Sequence, residues 1–129
     1  MSSSEVVAAI RAAAVGALEP AKDGSFRRRY VFGPDFPGFA GHFPGKPILP
    51  AVLQIMAASL QAEEASGERL DPGAIERAKF IRTIAPGEVV EISCRRAAGA
   101  ATDRWEIRID AERQPAASFT LSLKPKASA

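Results

Sequence analysis

The side chain best suited to chemistry in this chain is that of His42, the single histidine of the sequence. It lies in residues 41–50, where three prolines and two glycines exclude regular structure and stiffen the loop. Residues 51–60 contain no Gly or Pro and are almost wholly apolar, which predicts a buried helix. A titratable imidazole in a rigid loop before a helix N-terminus is a candidate reaction site. The alternative is a structural histidine satisfied by hydrogen bonds.

Apolar residues at helical spacing predict two helices around this loop. The first covers residues 4–18 and is ended by Pro20, so that residues 1–20 form an N-terminal helical segment. The second covers residues 51–66, with Gly67 as its C-cap, and is apolar for three turns and polar from Gln61 onwards.

Alternating apolar and polar residues predict the strands, each with one buried face. The predicted strands cover 25–32, 75–84, 89–96, 104–111 and about 118–123, and the predicted turns lie at 23–24, 85–88, 99–102 and 114–115. Residues 124–129 are expected to form a loose tail. The order of elements predicts one α+β domain over residues 1–129, in which an antiparallel sheet wraps around one long central helix.

Composition limits the classes of function. The chain has 129 residues, of which 47% are hydrophobic and 25% charged, as in ordinary globular domains. A net charge of +2 is too small to indicate nucleic acid, and no apolar run approaches the roughly 18 residues of a membrane span. Cys94 is the single cysteine and alternates with apolar residues, so we expect a buried thiol without a disulfide. The N-terminus lacks the positive start of a signal peptide, and we expect a cytoplasmic protein. No motif indicates a metal, a cofactor or a Ser-His-Asp triad.

Residues 41–50 read GHFPGKPILP, and with the apolar helix that follows they resemble the hot-dog-fold (3R)-hydroxyacyl-acyl-carrier-protein dehydratases of fatty acid synthesis. Residues 78–82 with the turn 86–88 are similar to that family's strand and Pro-Gly-acid turn after the helix. The order of elements agrees from about residue 25 to 124. Gln54 is similar to the residue of relatives that dehydrate thioesters in aryl-polyene-type pathways. The resemblance implies a hot-dog fold and a dimeric double hot dog with two sheets joined edge to edge.

The resemblance also implies a mechanism at a site shared between two subunits. The loop histidine, here His42, removes a proton from the carbon next to the thioester carbonyl. The backbone N–H groups of Ala51 and Val52 polarise that carbonyl, although Ala51 stands where a Gly is usual. A Glu or Asp fourteen residues after the histidine protonates the departing hydroxyl, and that position is Met56 here. The implied substrate-binding residues are Phe43, Gly45, Ala51, Val52 and Met56.

The acid of the family is therefore missing, because a thioether cannot donate a proton. Leu60 occupies the position of the family's helix glutamine and cannot hydrogen-bond either. Glu63 shares the helix face of Met56 but lies about 10 Å further along the axis at ~1.5 Å per residue. Gln54 is an amide and is expected to point elsewhere. Met56 either fills the core or a substrate tunnel, or the site takes its proton from another group or from water.

Two functions from different classes follow. The first is a dehydratase-like lyase acting on 3-hydroxyacyl thioesters of acyl carrier protein or CoA. The second is a non-catalytic acyl-thioester-binding subunit that pairs with a different, acid-bearing hot-dog chain. A hot-dog thioesterase is a third alternative.

The expected partners are a second hot-dog chain, identical or different, and an acidic carrier. The arginines at positions 27–29 alternate between two strand faces, and they are either solvated surface or part of a docking patch. The candidate docking residues are Arg28, Lys79, Arg82 and Arg96.

Overall fold

The computed structural model of the protein describes residues 3–39, 45–97 and 103–125. Two α-helices, one 3-10 turn and six strands lie within these residues. In chain order they are α1 (Ser3–Ala13), β1 (Ala14–Pro20), β2 (Phe26–Val31), the 3-10 turn (Pro37–Phe39), α2 (Ala51–Ser66), β3 (Leu70–Phe80), β4 (Val89–Arg96), β5 (Asp103–Ala111) and β6 (Gln114–Pro125).

The six strands form one antiparallel sheet with the order β1-β2-β4-β5-β6-β3. The strand that follows α2 therefore pairs with the last strand of the chain and lies at one edge of the sheet. The sheet curls around α2, which confirms the predicted α+β architecture. Period-2 alternation is also confirmed, since Val90, Ile92 and Cys94 on β4 are buried while the residues between them are not.

Small side chains allow the sheet to close on the helix. Ala57, Ala58 and Ala62 of α2 are completely buried, and alanine leaves room for large residues from the strands. The strand side of this core includes Tyr30, Ile92, Trp105, Ile107, Ile109, Phe119, Leu121 and Leu123.

The predicted N-terminal helix over residues 4–18 is wrong beyond residue 13. α1 ends at Ala13, and residues 14–20 form β1, which pairs with β2 at the other sheet edge. Of the apolar residues whose spacing suggested a helix, Ile10 is buried but Ala17 is exposed, so they do not share one buried face. Backbone pairing with a strand that begins six residues later outweighs the helix propensity of this alanine-rich stretch.

Three further boundaries differ from the prediction. β3 covers Leu70–Phe80 rather than 75–84, because an edge strand with bulges tolerates the Pro and Gly near its start. The chain turns at Glu112 and Arg113, both with positive φ, and not at 114–115. β6 extends through Pro125, so the residues at 124 and 125 belong to the sheet and not to a loose tail.

Candidate active site

The start of α2 leaves backbone donors without a cap. Pro50 is the N-cap residue, in extended geometry, and no side chain bonds to the first turn. The first intrahelical bonds run from the N–H groups of Leu53 and Gln54 to the Pro50 carbonyl, at 3.0 and 3.2 Å. The amides of Ala51 and Val52 precede these bonds, and both residues are exposed. Among the described residues these two amides have no hydrogen-bond partner, and such amides at the positive end of a helix dipole can polarise a carbonyl oxygen.

The segment just before the helix is held from two sides at Leu49. Its N–H donates to the Ile84 carbonyl at 2.8 Å, and its carbonyl accepts from Gln54 Nε2 at 3.1 Å. The Leu49 side chain is itself buried. These contacts fix where the loop enters α2, and so they fix the direction in which the free amides point.

Gln54 contributes more than this bond. The residue is 5% exposed, and its Oε1 has no hydrogen-bond partner among the described residues. A buried carbonyl oxygen without a donor costs free energy, so such atoms call for a functional or solvent partner. The Gln54 amide reaches back past the helix start to Leu49, and the expectation that Gln54 points away from His42 stays a prediction.

Two glycines flank the loop that leads to α2, and each is needed for a different reason. A Cβ on Gly38 would lie 2.1 Å from Leu53 Cδ1, so only glycine lets the first turn of α2 pack there. Gly45 has φ +85, a conformation that favours glycine over any other residue. His42 and Phe43 lie outside the described residues.

Met56 is half-buried and packs against the hydrophobic core. Val52, one turn earlier on the same flank, has 63% of its surface exposed. The carboxylates further along α2 are already engaged. Glu63 Oε2 accepts a hydrogen bond from the Leu70 N–H at 2.9 Å, and Glu64 forms an ion pair with Arg28. Neither carboxylate is positioned to replace an acid at Met56.

The far half of α2 holds a polar network that the sequence did not predict. Gln61 is 1% exposed; its Oε1 accepts from Tyr30 Oη at 2.8 Å, and its Nε2 donates to the Ile92 and Phe26 carbonyls at 2.8 and 3.1 Å. Burial raises the pKa of Tyr30 to about 12 and that of Cys94 to about 11. Both groups are therefore neutral near pH 7, and the network pins α2 to β2 and β4.

Comparison of the sequence with models of known protein families assigns this chain to one of them. The model of the ApeI-like family, described as ApeI dehydratase, matches residues 19–123, which is 105 of the 129 residues. The chain belongs to the ApeI-like dehydratase family. The match includes the pre-helix segment, α2 and the strands from β2 onwards, except the last two residues of β6, but only the last two residues of β1.

Relatives of the ApeI-like chain agree with this assignment. The 3-hydroxyacyl-[acyl-carrier-protein] dehydratase FabZ of Clostridium acetobutylicum is 35% identical over 82 residues, which cover 58% of this chain and 57% of that protein. FabZ of Pediococcus pentosaceus is 39% identical over 85 residues, covering 60% and 56%. The chain thus spans little more than half the length of the curated relatives it matches.

A solved structure confirms the hot-dog fold of this family member. The dehydratase heterocomplex ApeI:P from Xenorhabdus doucetiae superposes with a TM-score of 0.73 at 23% identity, covering 86% of this chain and 96% of that chain. At this identity the likeness concerns the fold.

The four predicted docking residues do not form one patch. Arg28 faces α2, with 16% of its side chain exposed, and Arg96 stacks 5.0 Å above the Trp105 ring. Lys79 pairs in register with Ser118 on the outer sheet face, whereas Arg82 bonds to Glu88 at 2.7 Å in the loop after β3.

The described part of the chain contains no helix long and apolar enough to cross a membrane. In the same residues, no group of three or more His, Cys, Asp or Glu side chains could hold a metal ion.

Proposed function

We propose that this chain acts on 3-hydroxyacyl thioesters, carried by acyl carrier protein or CoA, as a dehydratase-like protein. The observation that carries the proposal is the uncapped start of α2, with the amides of Ala51 and Val52 held in place through Leu49. Such a group of fixed donors suits the thioester carbonyl oxygen as negative charge develops on it. The family match over 19–123 supports the same chemistry.

The proposed reaction is the elimination of water. His42 takes a proton from the carbon next to the thioester carbonyl, and the electron pair forms the new carbon–carbon double bond. The bond between the next carbon and its hydroxyl oxygen breaks, and that oxygen leaves as water after gaining a proton from a solvent water in the homodimer, or from the acid of a partner chain. The products are a 2-enoyl thioester and water. His42 is the base, and the helix-start amides stabilise the enolate-like charge.

The proton for the departing hydroxyl is the part that this chain does not supply at Met56. Loss of a general acid typically costs about 10²–10⁴-fold in rate, so a homodimer is proposed to be a slow catalyst. The second candidate function is a subunit that pairs with an acid-bearing hot-dog chain. The half-buried Met56 favours it, and so does the fold neighbour, which is itself a dehydratase heterocomplex.

The partner surface in either case is proposed to be β3. This strand is the last in the sheet order, so its outer edge has no strand partner within the described chain. Ile75, Phe80 and Ile81 lie on or just after it and are exposed apolar residues. Exposed apolar edge strands invite pairing with another chain. Light scattering that shows a stable 13.7 kDa monomer at micromolar concentration would contradict the proposed dimer.

The deciding experiment incubates the purified protein with a 3-hydroxyacyl thioester and follows formation of the enoyl product. We expect slow turnover that His42→Ala abolishes, with the Arg104→Gln surface variant as the control that keeps it. If the protein alone is inactive but gains activity with an acid-bearing hot-dog partner, the subunit function is supported instead. Inactivity in both settings contradicts the dehydratase proposal.

Carrier docking is proposed to depend on basic residues, with Arg28, Lys79, Arg82 and Arg96 as candidates. Of these, Arg28 is the least available because of its burial beside Glu64. Binding of an acidic carrier should weaken as salt rises past ~0.15 M, where the Debye length is about 8 Å. Affinity that does not change with salt would exclude this docking mode.

A further inference from the structure

The outer face of the sheet carries a row of alternating cations and serines. Strand register places Arg27 of β2 opposite Ser93, Ser93 opposite Arg108, Arg108 opposite Ser118 and Ser118 opposite Lys79 of β3. The row thus crosses five neighbouring strands at one level. At about 4.8 Å between strands, it is ~19 Å long, and its two serines are ~10 Å apart.

These side chains line one groove with a volume of about 540 Å³, whose walls also include the carboxylates of Asp23, Glu91, Glu106 and Asp110. A register shift in β3 between Glu76 and Lys79 adds a further cation to its wall, because Arg77 takes positive φ there and also lines the groove. Bulges of this kind re-aim side chains at a sheet edge. The groove lies on the face opposite α2 and is therefore separate from the helix start.

Most cations of this row lack a direct ion-pair partner. Within the described residues, the side chains of Arg108, Lys79 and Arg77 make no ion pair or hydrogen bond. Arg27 makes only a 3.6 Å contact with Asp23, in which both side chains are about half exposed, and such a pair contributes little. By contrast, Arg95 and Arg104 nearby are paired with Glu106 and Glu76.

We propose that this groove, which we call the serine–cation row, binds a small organic phosphate with two phosphate groups about 10 Å apart. Each serine lies between two cations, so one phosphate at each serine can accept a hydroxyl hydrogen bond and charge-assisted bonds from both sides. Carboxylates offer fewer acceptor oxygens for donors that converge from three strands.

The neighbouring rows argue for a narrow ligand rather than a broad polyanion. On one side, Glu91 pairs in register with Asp110; on the other, Glu106 and Glu76 flank Thr120. These carboxylates lie about 7 Å from the row, at two residues along each strand, and Glu91, Asp110 and Glu106 form part of the groove wall. A nucleic acid or an anionic membrane would cover them and be repelled, whereas a slender bisphosphate lies between them.

Isothermal titration calorimetry with fructose 1,6-bisphosphate at 0.15 M salt tests the proposal. Arg108→Gln should weaken binding by ~10-fold or more, because it removes the cation shared by both phosphates. The double variant S93A/S118A, which keeps all charges, should weaken it similarly. Arg104→Gln is the matched control: it removes the same charge from the same strand face and should change the affinity by less than about twofold. Inorganic phosphate should bind more weakly than the bisphosphate.

Several results would overturn the proposal that the serine–cation row binds a bisphosphate. These are no bisphosphate binding by the folded wild type, equal losses in Arg104→Gln and Arg108→Gln, or unchanged binding in the serine variant. Poly-L-glutamate or phosphatidylserine vesicles that bind as tightly, with the same dependence on Arg108, would also contradict it in favour of a carboxylate or membrane partner. All the substituted side chains lie on the outer sheet face, and circular dichroism checks that each variant folds.

Discussion

Gln54 and Gln61 lie two turns apart on α2, and both are buried, but their side-chain amides have different surroundings. Gln61 has partners for both of its polar atoms, from Tyr30 and from two strand carbonyls. Gln54 has one partner, the Leu49 carbonyl, and its Oε1 has none among the described residues. Glutamine thus has all its polar atoms hydrogen-bonded at one end of the helix, and has an unpaired amide oxygen at the other.

This difference indicates that the C-terminal (far) half of α2 stabilises the fold and that its N-terminal (near) half is suited to bind a ligand. The far half has a fully paired buried amide in Gln61, and Gly67 in left-handed geometry donates its N–H to the Glu63 carbonyl as the C-cap. The near half has free amides, an unpaired amide oxygen and an exposed Val52. Stability is concentrated where groups are paired, and ligand binding uses groups that are unpaired before the ligand arrives.

The largest effect is expected from a substitution that places the missing acid in the near half of α2. Met56→Glu should raise dehydration of 3-hydroxyacyl thioesters by ~10²–10⁴-fold, because a half-buried carboxyl keeps a raised pKa and can donate its proton. Glu and Met are similar in length, so the cost in unfolding free energy should be about 1–3 kcal/mol. Enoyl-product formation measures the gain.

Two controls test whether position matters in this experiment. His42→Ala in the Met56→Glu background should remove the gain. Leu60→Glu adds the same carboxyl one turn further along α2 and should not reproduce it. A folded, dimeric Met56→Glu protein with wild-type activity would show that the site lacks more than one component.

The next largest effect is expected from removing the Gln61 hydrogen bonds in the far half of α2. Gln61→Leu should lower the free energy of unfolding by about 3–5 kcal/mol, because Tyr30 Oη and two strand carbonyls lose buried partners. Urea unfolding measures the loss. Adding Tyr30→Phe should recover part of it, since the orphaned hydroxyl is then absent. A loss below about 1 kcal/mol would contradict the assignment of stability to this network.

A smaller effect on stability is expected from the corresponding change in the near half. Gln54→Leu should cost only about 1 kcal/mol, because it removes one bond to Leu49 together with an oxygen that was already unpaired. The same urea titration compares it with Gln61→Leu. Equal destabilisation by the two substitutions would remove the contrast between the two ends of α2.

The smallest effect concerns the loop that supports Leu49 through the Ile84 carbonyl. Glu88 in this loop bonds to Arg82 and to the Ala85 N–H, and the Arg82 hydrogen bond lowers the pKa of Glu88 below its usual value. The stabilisation is therefore complete above the ordinary Glu pKa and is lost as pH falls through the lowered one. Glu88→Gln should be slightly less stable than wild type at pH 7 and equal to it in strong acid, by urea unfolding. A difference that persists at low pH would exclude this cause.

Local pattern was sufficient to predict much of the fold. α2 begins and ends where predicted, at residues 51 and 66, because a proline-rich loop precedes it and Gly67 caps it. β4 matches its predicted bounds, and the alternation around Cys94 correctly indicated a buried thiol. The free amides at the helix start were also predictable, since proline at the N-cap offers no side-chain acceptor.

What the sequence by itself determined is therefore local: a rigid loop, a helix with a defined start and stop, and strands with one apolar face. Only the tertiary structure decided which distant groups meet. Gln61 looked like the start of a polar helix end, and it is buried because strands thirty residues away on either side supply partners. Strand β1 exists because β2 pairs with it, and the serine–cation row exists because register aligns five strands. Spacing along one chain cannot encode such pairings, since they depend on contacts between segments far apart in sequence.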